Sequence, residues 1–270
     1  MDIQDYAERN REAWNEVAPI HRRGRKVDLR EEVRSDSFNV LGEVEVEVFR
    51  RIGLSGKRVA HLCCNNGREL ISILKMGAAR GTGFDISDEG IKEARLLAEL
   101  AQVQCDFVRT NALDIGDEHD GAFDVVFFSV GALTWFHDLN PLFEIVARIL
   151  APHGWLVIYE MHPFTDMLAM KTDEGYDAEN EMKIVFSYFR REPWVDEYGL
   201  DYVGGTTYAS KPSYSFPHTL GETISAIAGR GLVILELREY PHDLSNGFKG
   251  VEKQQKLPLS YLVLASKGAA

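Results

Sequence analysis

Cys63-Cys64-Asn65-Asn66-Gly67 and Asp85 are the residues with the clearest chemistry to offer. The first five form a tight turn between an apolar run, Val59 to Leu62, and a helical stretch, Arg68 to Met76. Backbone N–H groups at such a helix N-terminus lack intrahelical partners and can receive electron-rich ligand atoms. A second strand-like run, Arg80 to Phe84, ends in the lone acid Asp85. An acid about 20 residues beyond the loop, at the tip of the second strand, can accept hydrogen bonds from ribose hydroxyls. The interval from Gly67 to Asp85 is close to that. A dinucleotide loop would read G-x-G-x-x-G, whereas this one holds a single glycine. Asn takes positive φ more readily than most residues that carry a side chain, so Asn65 and Asn66 are expected to hold the bend. So few glycines argue against a pyrophosphate pressed onto the backbone, and a nucleoside without phosphates suits the loop better. The plainer alternative is an ordinary βα turn that binds nothing.

Histidines supply the candidates for proton transfer, because imidazole titrates near neutral pH. His162 is the first, since it follows the fifth predicted strand, at the edge where open α/β sheets hold their ligands. Its alternative is a turn-capping role fixed by Pro163. His218 is the second, and it could equally make a structural contact at the start of the helix that follows. His137 is a third candidate, set against a solvated loop position. Trp135, Phe136, Tyr159, Phe164, Tyr188, Phe189 and Trp194 could line a pocket for a flat or cationic ligand, or form the core of a cap. Trp135, Tyr159 and Tyr188 are taken as the substrate contacts. The three cysteines, two of them adjacent, give neither a disulfide framework nor a zinc site, so no metal is expected.

These residues need a scaffold, and the pattern of elements provides one. Tyr6, Trp14 and Val17 predict a first helix ended by Pro19. His21-Arg22-Arg23-Gly24-Arg25-Lys26 reads as a basic surface patch, and Phe38 to Ile52 as a further helix. After the first two strands, Ser87 is expected to cap a helix that buries Ile91, Ala94, Leu97, Ala98 and Ala101. Strands follow at Gln104 to Val108 and Phe123 to Val130. Asn140 and Pro141 are expected to open the next helix as N-cap and first residue. Pro152-His153-Gly154 reads as a turn before the strand Trp155 to Tyr159. This alternation means a parallel sheet covered on both faces. From Glu160 the pattern breaks, and residues 164–216 read as an inserted cap with short β runs at Lys183 to Phe189 and Asp201 to Tyr208. Thr219-Leu220-Gly221-Glu222 is a capping box opening a helix to Arg230. Leu232 to Leu237 and Leu259 to Ala265 are two more strands. Their polar connection, 241–258, lacks helical periodicity, so the pair should be antiparallel.

Composition narrows the function classes. At 270 residues, with 45% hydrophobic and 27% charged, the chain is that of an ordinary globular protein. A net charge of −12 disfavours nucleic acid and anionic membrane surfaces as partners. No apolar run is long enough to span a membrane. The polar opening MDIQDYAERN has no signal-peptide core, and with the unspaced cysteines a cytoplasmic location is expected. A monomer or a homodimer would both be compatible.

The layout resembles the class I S-adenosylmethionine-dependent methyltransferases, over most of the chain. Several stretches are similar to a bacterial small-molecule subfamily: Asn10 to Glu16, Val59 to Leu62, Gly83-Phe84-Asp85-Ile86-Ser87, Ser129 to Trp135, and Glu160-Met161-His162-Pro163-Phe164. The resemblance implies a Rossmann-like α/β fold whose seven-stranded, mostly parallel sheet has an antiparallel last strand. It also implies a single domain: an N-terminal helical lid (1–52), a cofactor-binding core (53–163), the inserted substrate cap (164–216) and a C-terminal helix and strand pair (217–270). S-adenosylmethionine is then the expected cofactor. Cys63, Asn65 and Gly67 would pass under its methionine part, Asp85 would hold the ribose and Ile86 would flank the adenine. Asn111 and Ala112 would lie beside the adenine amino group, Ser129 would line the methyl-transfer cavity, and Tyr6 and Trp14 would fold over it. Departures are His61, where many members have an acid, two absent loop glycines, and Pro152-His153-Gly154 in place of Pro-Gly-Gly. The expected reaction is methyl transfer to nitrogen or oxygen of a small molecule. The rival readings are a nicotinamide-dependent oxidoreductase, opposed by the loop and by the lack of a Tyr-x-x-x-Lys arrangement, and a non-catalytic module that binds the same cofactor.

Overall fold

The computed structural model describes residues 3–268. Its sheet has seven strands: β1 (Arg58–Leu62), β2 (Arg80–Asp85), β3 (Cys105–Arg109), β4 (Phe123–Phe128), β5 (Leu150–Met161), β8 (Leu232–Tyr240) and β9 (Ser260–Lys267). Two short strands, β6 (Trp194–Asp196) and β7 (Ser213–Ser215), pair with each other outside it. The order in the large sheet is β3-β2-β1-β4-β5-β9-β8. β9 runs antiparallel to both neighbours, and the other pairings are parallel. The order reverses between β1 and β4, so the tips of these strands flank the crevice where open α/β sheets take ligands.

Alternation along the strands divides the core. Ala60, Leu62, Val126, Phe128, Leu156 and Ile158 face helices α6 (Leu139–Ile149) and α7 (Leu220–Ala228). Val59, Val125, Phe127, Val157 and Tyr159 face α3 (Glu43–Ile52), α4 (Arg68–Lys75) and α5 (Asp88–Ala101). Such two-sided burial explains the continuous apolar runs. Local signals set the helix starts. Ser87 Oγ accepts from Gly90 N at 3.0 Å, and the Thr219–Glu222 capping box forms in both directions.

Several expectations are corrected. Helix α1 (Ile3–Gly24) runs through Pro19. An interior proline costs about 3 kcal/mol in a helix. Here the segment beyond it is held by ion pairs from Arg22 to Glu89 and from Arg25 to Glu93, both carboxylates on α5. The α6 cap is Asp138, which accepts from Asn140 N at 2.9 Å, and Pro141 sits in the first turn, where no N–H is needed. The turn at His153 (φ 61°) is a bulge inside the longer β5. In the cap, 201–208 is no strand: Asp201 accepts from the amides of Val203, Gly204 and Thr206 at 3.2, 2.9 and 2.9 Å, diverting N–H groups a ladder would need. Residues 183–189 also lie outside any strand. The 241–258 connection contains a helix, α8 (Lys249–Gln254). A four-residue helix, α2 (Leu29–Glu32), completes the set. No described helix is long and apolar enough to cross a membrane.

Candidate active site

The loop after β1 bends through three positive φ values: Cys63 (56°), Asn65 (48°) and Gly67 (74°). Cys63 and not Asn66 therefore shares the bend with Asn65. Gly67 is required by space as well as by φ, because a Cβ there would lie 2.4 Å from Phe107 Cζ. It does not line the cavity below; it lets the loop turn into α4.

Asp85, at the tip of β2, ties this loop to the next. One carboxylate oxygen accepts from Asn65 N at 2.7 Å, and the other from Ser87 N at 2.8 Å. Burial pushes its pKa up, and these backbone donors oppose the shift. Each oxygen keeps lone-pair capacity, since a carboxylate offers about four acceptor sites.

A cavity of about 480 Å³ opens over the tips of β1, β2 and β4. Cys63, Asn65, Asp85, Ile86, Asn111, Ala112, Ser129 and Trp135 line it, as do Tyr6 and Trp14 of α1. Trp14 meets Trp135 edge to face, ring centroids 5.4 Å apart. Asn111 caps a short turn by accepting from Leu113 N at 3.0 Å, so part of its acceptor capacity is already used. α1 is fastened at both ends of this roof. Asn10 exchanges two hydrogen bonds with the Tyr214 backbone, at 2.9 and 2.7 Å. Asn15 Oδ1 accepts from Ser87 Oγ at 2.9 Å and from Glu89 N at 3.2 Å.

Besides Gly67, four expected site residues do not reach the cavity. His162 is buried beneath the β5 end, its Nε2 2.8 Å from Glu239 and its Nδ1 accepting from Phe164 N at 3.1 Å. Both ring nitrogens are engaged, which leaves it a turn-fixing residue and corrects its assignment as a base at the site. His218 places Nε2 2.7 Å from the Phe136 carbonyl oxygen, and burial lowers its pKa. It faces a separate depression with Asp138, Arg191 and Glu222. Tyr159 points to the opposite face of the sheet, against Tyr240, because the β5 alternation turns it there. Tyr188 accepts from Leu220 N at 3.1 Å and packs on Phe164 in the cap.

Other residues arrive unannounced. His21 and Arg25, expected in a surface patch, line the cavity together with Arg68, which pairs with Glu69 at 2.8 Å. Arg25 binds Glu93, yet its buried Nε has no partner among the described residues. Leu244, Ser245 and Asn246 reach the cavity from the β8–β9 connection. Glu160 is buried, and its carboxylate accepts from Gly131 N (2.6 Å), Ala132 N (2.9 Å), Leu133 N (3.2 Å) and Met161 N (2.8 Å). It thereby fixes the wall that carries Trp135. An acid directly after an apolar strand and beside the loop-facing edge was the signal available for it. The patch arginines had none, since their carboxylate partners are distant in sequence.

Residues 60–158 match a protein family described as the methyltransferase domain. Over 111 residues the chain is 32% identical to the ubiquinone biosynthesis O-methyltransferase of Xanthomonas oryzae pv. oryzae, which covers 41% of this chain and 46% of that protein. The chain thus spans less than half the length of that curated relative. Among solved structures it resembles an S-adenosylmethionine-dependent methyltransferase from Mesorhizobium loti, with a TM-score of 0.61 and 21% identity over 84% of this chain and 99% of that one. It also resembles the geranyl diphosphate C-methyltransferase of Streptomyces coelicolor A3(2), solved with S-adenosyl-L-homocysteine, with a TM-score of 0.56 and 14% identity over 83% and 78%. At these identities the structural likeness is one of fold.

Proposed function

We propose that the protein transfers a methyl group from S-adenosylmethionine to nitrogen or oxygen of a small-molecule acceptor; the match of residues 60–158 to the methyltransferase domain family and the order of the sheet support this reading. The observation that carries this reading is Asp85. It sits at the β2 tip, on the rim of a cavity of about 480 Å³, with backbone donors on each oxygen and acceptor capacity left for a sugar diol.

The residues present fit the cofactor. Asp85 would receive the ribose hydroxyls, Ile86 would flank the adenine, and Asn111 and Ala112 would border its amino group. Cys63 and Asn65 would pass under the methionine part, with Gly67 holding the turn. Arg25, whose Nε has no partner among the described residues, and the helix start at Arg68 would offer positive charge to the cofactor's carboxylate. When bound, the cofactor supplies a methyl group activated on a sulfonium. What the chain supplies is placement: Trp14, Trp135 and the roof of α1 exclude water and hold the reactants in line. Such placement contributes of order 7–11 kcal/mol in favourable cases. No described histidine that lines the cavity is required as a base for an acceptor that enters without its proton.

In this reading 1–52 acts as the lid, 53–163 as the cofactor core, 164–216 as the substrate cap and 217–270 as the closing helix and strand pair. A small-molecule acceptor, with no nucleic acid partner, agrees with the net charge of −12, and three free cysteines suit the cytoplasm. Calorimetric titration tests the proposal: S-adenosylhomocysteine should bind one to one, and nicotinamide dinucleotides should give no heat. The opposite pattern would establish the oxidoreductase alternative.

A further inference from the structure

His61 has no part in the reading above, yet it lies fully buried in β1 directly below the site. Its Nε2 is 3.1 Å from the Ser129 hydroxyl, and Ser129, one residue past β4, lines the cavity. The ring rests on Phe127, with centroids 4.9 Å apart. Nδ1 has no hydrogen-bond partner among the described residues. Burial pulls the imidazole pKa down to about 4, so the ring is neutral and carries one proton. An orphaned buried N–H is rarer in proteins than an under-satisfied acceptor. Glu69 acts on the ring through its charge alone, and that charge is taken up by Arg68 at 2.8 Å. The proton therefore belongs on Nε2, donated to Ser129 Oγ. With its oxygen accepting from His61, the Ser129 hydroxyl keeps its own hydrogen for the cavity.

We infer, on the reading that this cavity performs methyl transfer, that Ser129 is a fixed hydrogen-bond donor to the methyl acceptor, positioned by His61, and that the accepting atom is an oxygen of a phenol, enol or carboxylate. A neutral amine nitrogen has one lone pair, and that pair must attack carbon, so the nitrogen cannot also receive the Ser129 hydrogen. An oxygen has at least two. One pair forms the new O–C bond while the S–C bonding pair returns to sulfur, which leaves as a neutral thioether. The second pair takes the hydrogen bond. An acceptor that enters as a hydroxyl releases its proton to water; one that enters as an oxyanion has none to lose, and a donor hydroxyl favours that form.

Two measurements test this. Nitrogen-15 NMR of the neutral histidine rings, with His61 assigned by the signal lost in His61→Gln, should show the proton on Nε2. A proton on Nδ1 overturns the inference, since Ser129 would then be donating inward. Second, 4-nitrophenol and 4-nitroaniline are titrated into the complex with S-adenosylhomocysteine. The phenol should bind with a raised yellow phenolate fraction at fixed pH. Ser129→Ala and His61→Phe should weaken its binding about tenfold or more, the effect of losing a hydrogen bond to a charged group, with S-adenosylhomocysteine affinity within twofold. His61→Gln should recover part of that loss, because its amide nitrogen stands where Nε2 stood. Asp85, Glu69, Arg68 and Arg25 also line the cavity but are common to all variants, so differences among them isolate the Ser129 donor. Equal losses for the aniline, a loss confined to S-adenosylhomocysteine, or no phenol binding to the formed complex would each overturn the inference. Failure of S-adenosylhomocysteine to bind the wild-type protein would instead remove the cofactor reading beneath it.

Discussion

At the scale of single residues, Asp85 carries the greatest weight. Replacing it by Ala should weaken S-adenosylhomocysteine binding by about 1–3 kcal/mol, the cost of leaving polar groups unpaired. Calorimetry on the folded variant measures it, and unchanged affinity would place the sugar elsewhere. Gly67→Ala should act on the fold itself. Its φ of 74° and a Cβ only 2.4 Å from Phe107 impose both backbone strain and a clash. We expect a loss of at least about 1 kcal/mol in urea unfolding. Asp85 at the strand tip and the presence of a bend were legible in the sequence because one strand–turn–helix–strand unit contains both; that Cys63 rather than Asn66 shares the bend with Asn65 was not. His162 was legible as a residue near the sheet edge but not as an occupied one: its partner Glu239 lies on β8, and nothing local announces that contact. Arg25 and Ser129 differ in the same way. A strand's end predicts where Ser129 sits, whereas only the tertiary pairing of α1 with α5 brings Arg25 inward.

At the scale of elements, capping signals proved the most readable. Ser87 and Thr219 cap their helices as their sequences imply, while Asn140 lost the cap position to Asp138, two residues earlier and equally suited. Thr219→Ala should therefore cost about 0.5–2 kcal/mol of stability, measured as a lowered urea midpoint with an unchanged slope. The roof helix α1 is the element whose role depends most on long-range contacts. Asn15 joins it to the start of α5 through Ser87 and Glu89, next to Asp85. Asn15→Ala should raise amide hydrogen exchange along α1 and weaken cofactor binding, with little change in the global unfolding midpoint. Uniform loss of protection across the sheet would contradict a separate roof. The cap strands were misplaced for a physical reason: three-residue strands carry no period, and Asp201 turns a β-like run back on itself through its own carboxylate.

At the scale of the whole molecule, the parallel sheet was readable because strand–helix alternation is spread over the chain, whereas the antiparallel last strand was expected from the family resemblance, and the connection before it carries α8. Stability of the assembled core should depend on pH through Glu45, a buried residue of α3. Burial pushes its carboxyl up to about 7 from an ordinary value of 4.5. Between those values the folded protein holds a proton that the unfolded chain has lost, so stability falls as pH rises through this window and levels off above about 7. A shift of that size is worth roughly 3 kcal/mol at most. Urea unfolding at pH 5.5 and pH 8.5 should show this contribution in the wild type and its loss in Glu45→Gln, which keeps the acceptor for Gly42 N. The crevice between β1 and β4 is where the cofactor should sit, and a crystal structure of the protein with S-adenosylhomocysteine is the sharpest check of that placement. Both ribose hydroxyls should lie within hydrogen-bond distance of the Asp85 carboxylate, with the adenine beside Ile86; a sugar bound away from Asp85, or a crevice that stays empty at saturating ligand, would rule this placement out.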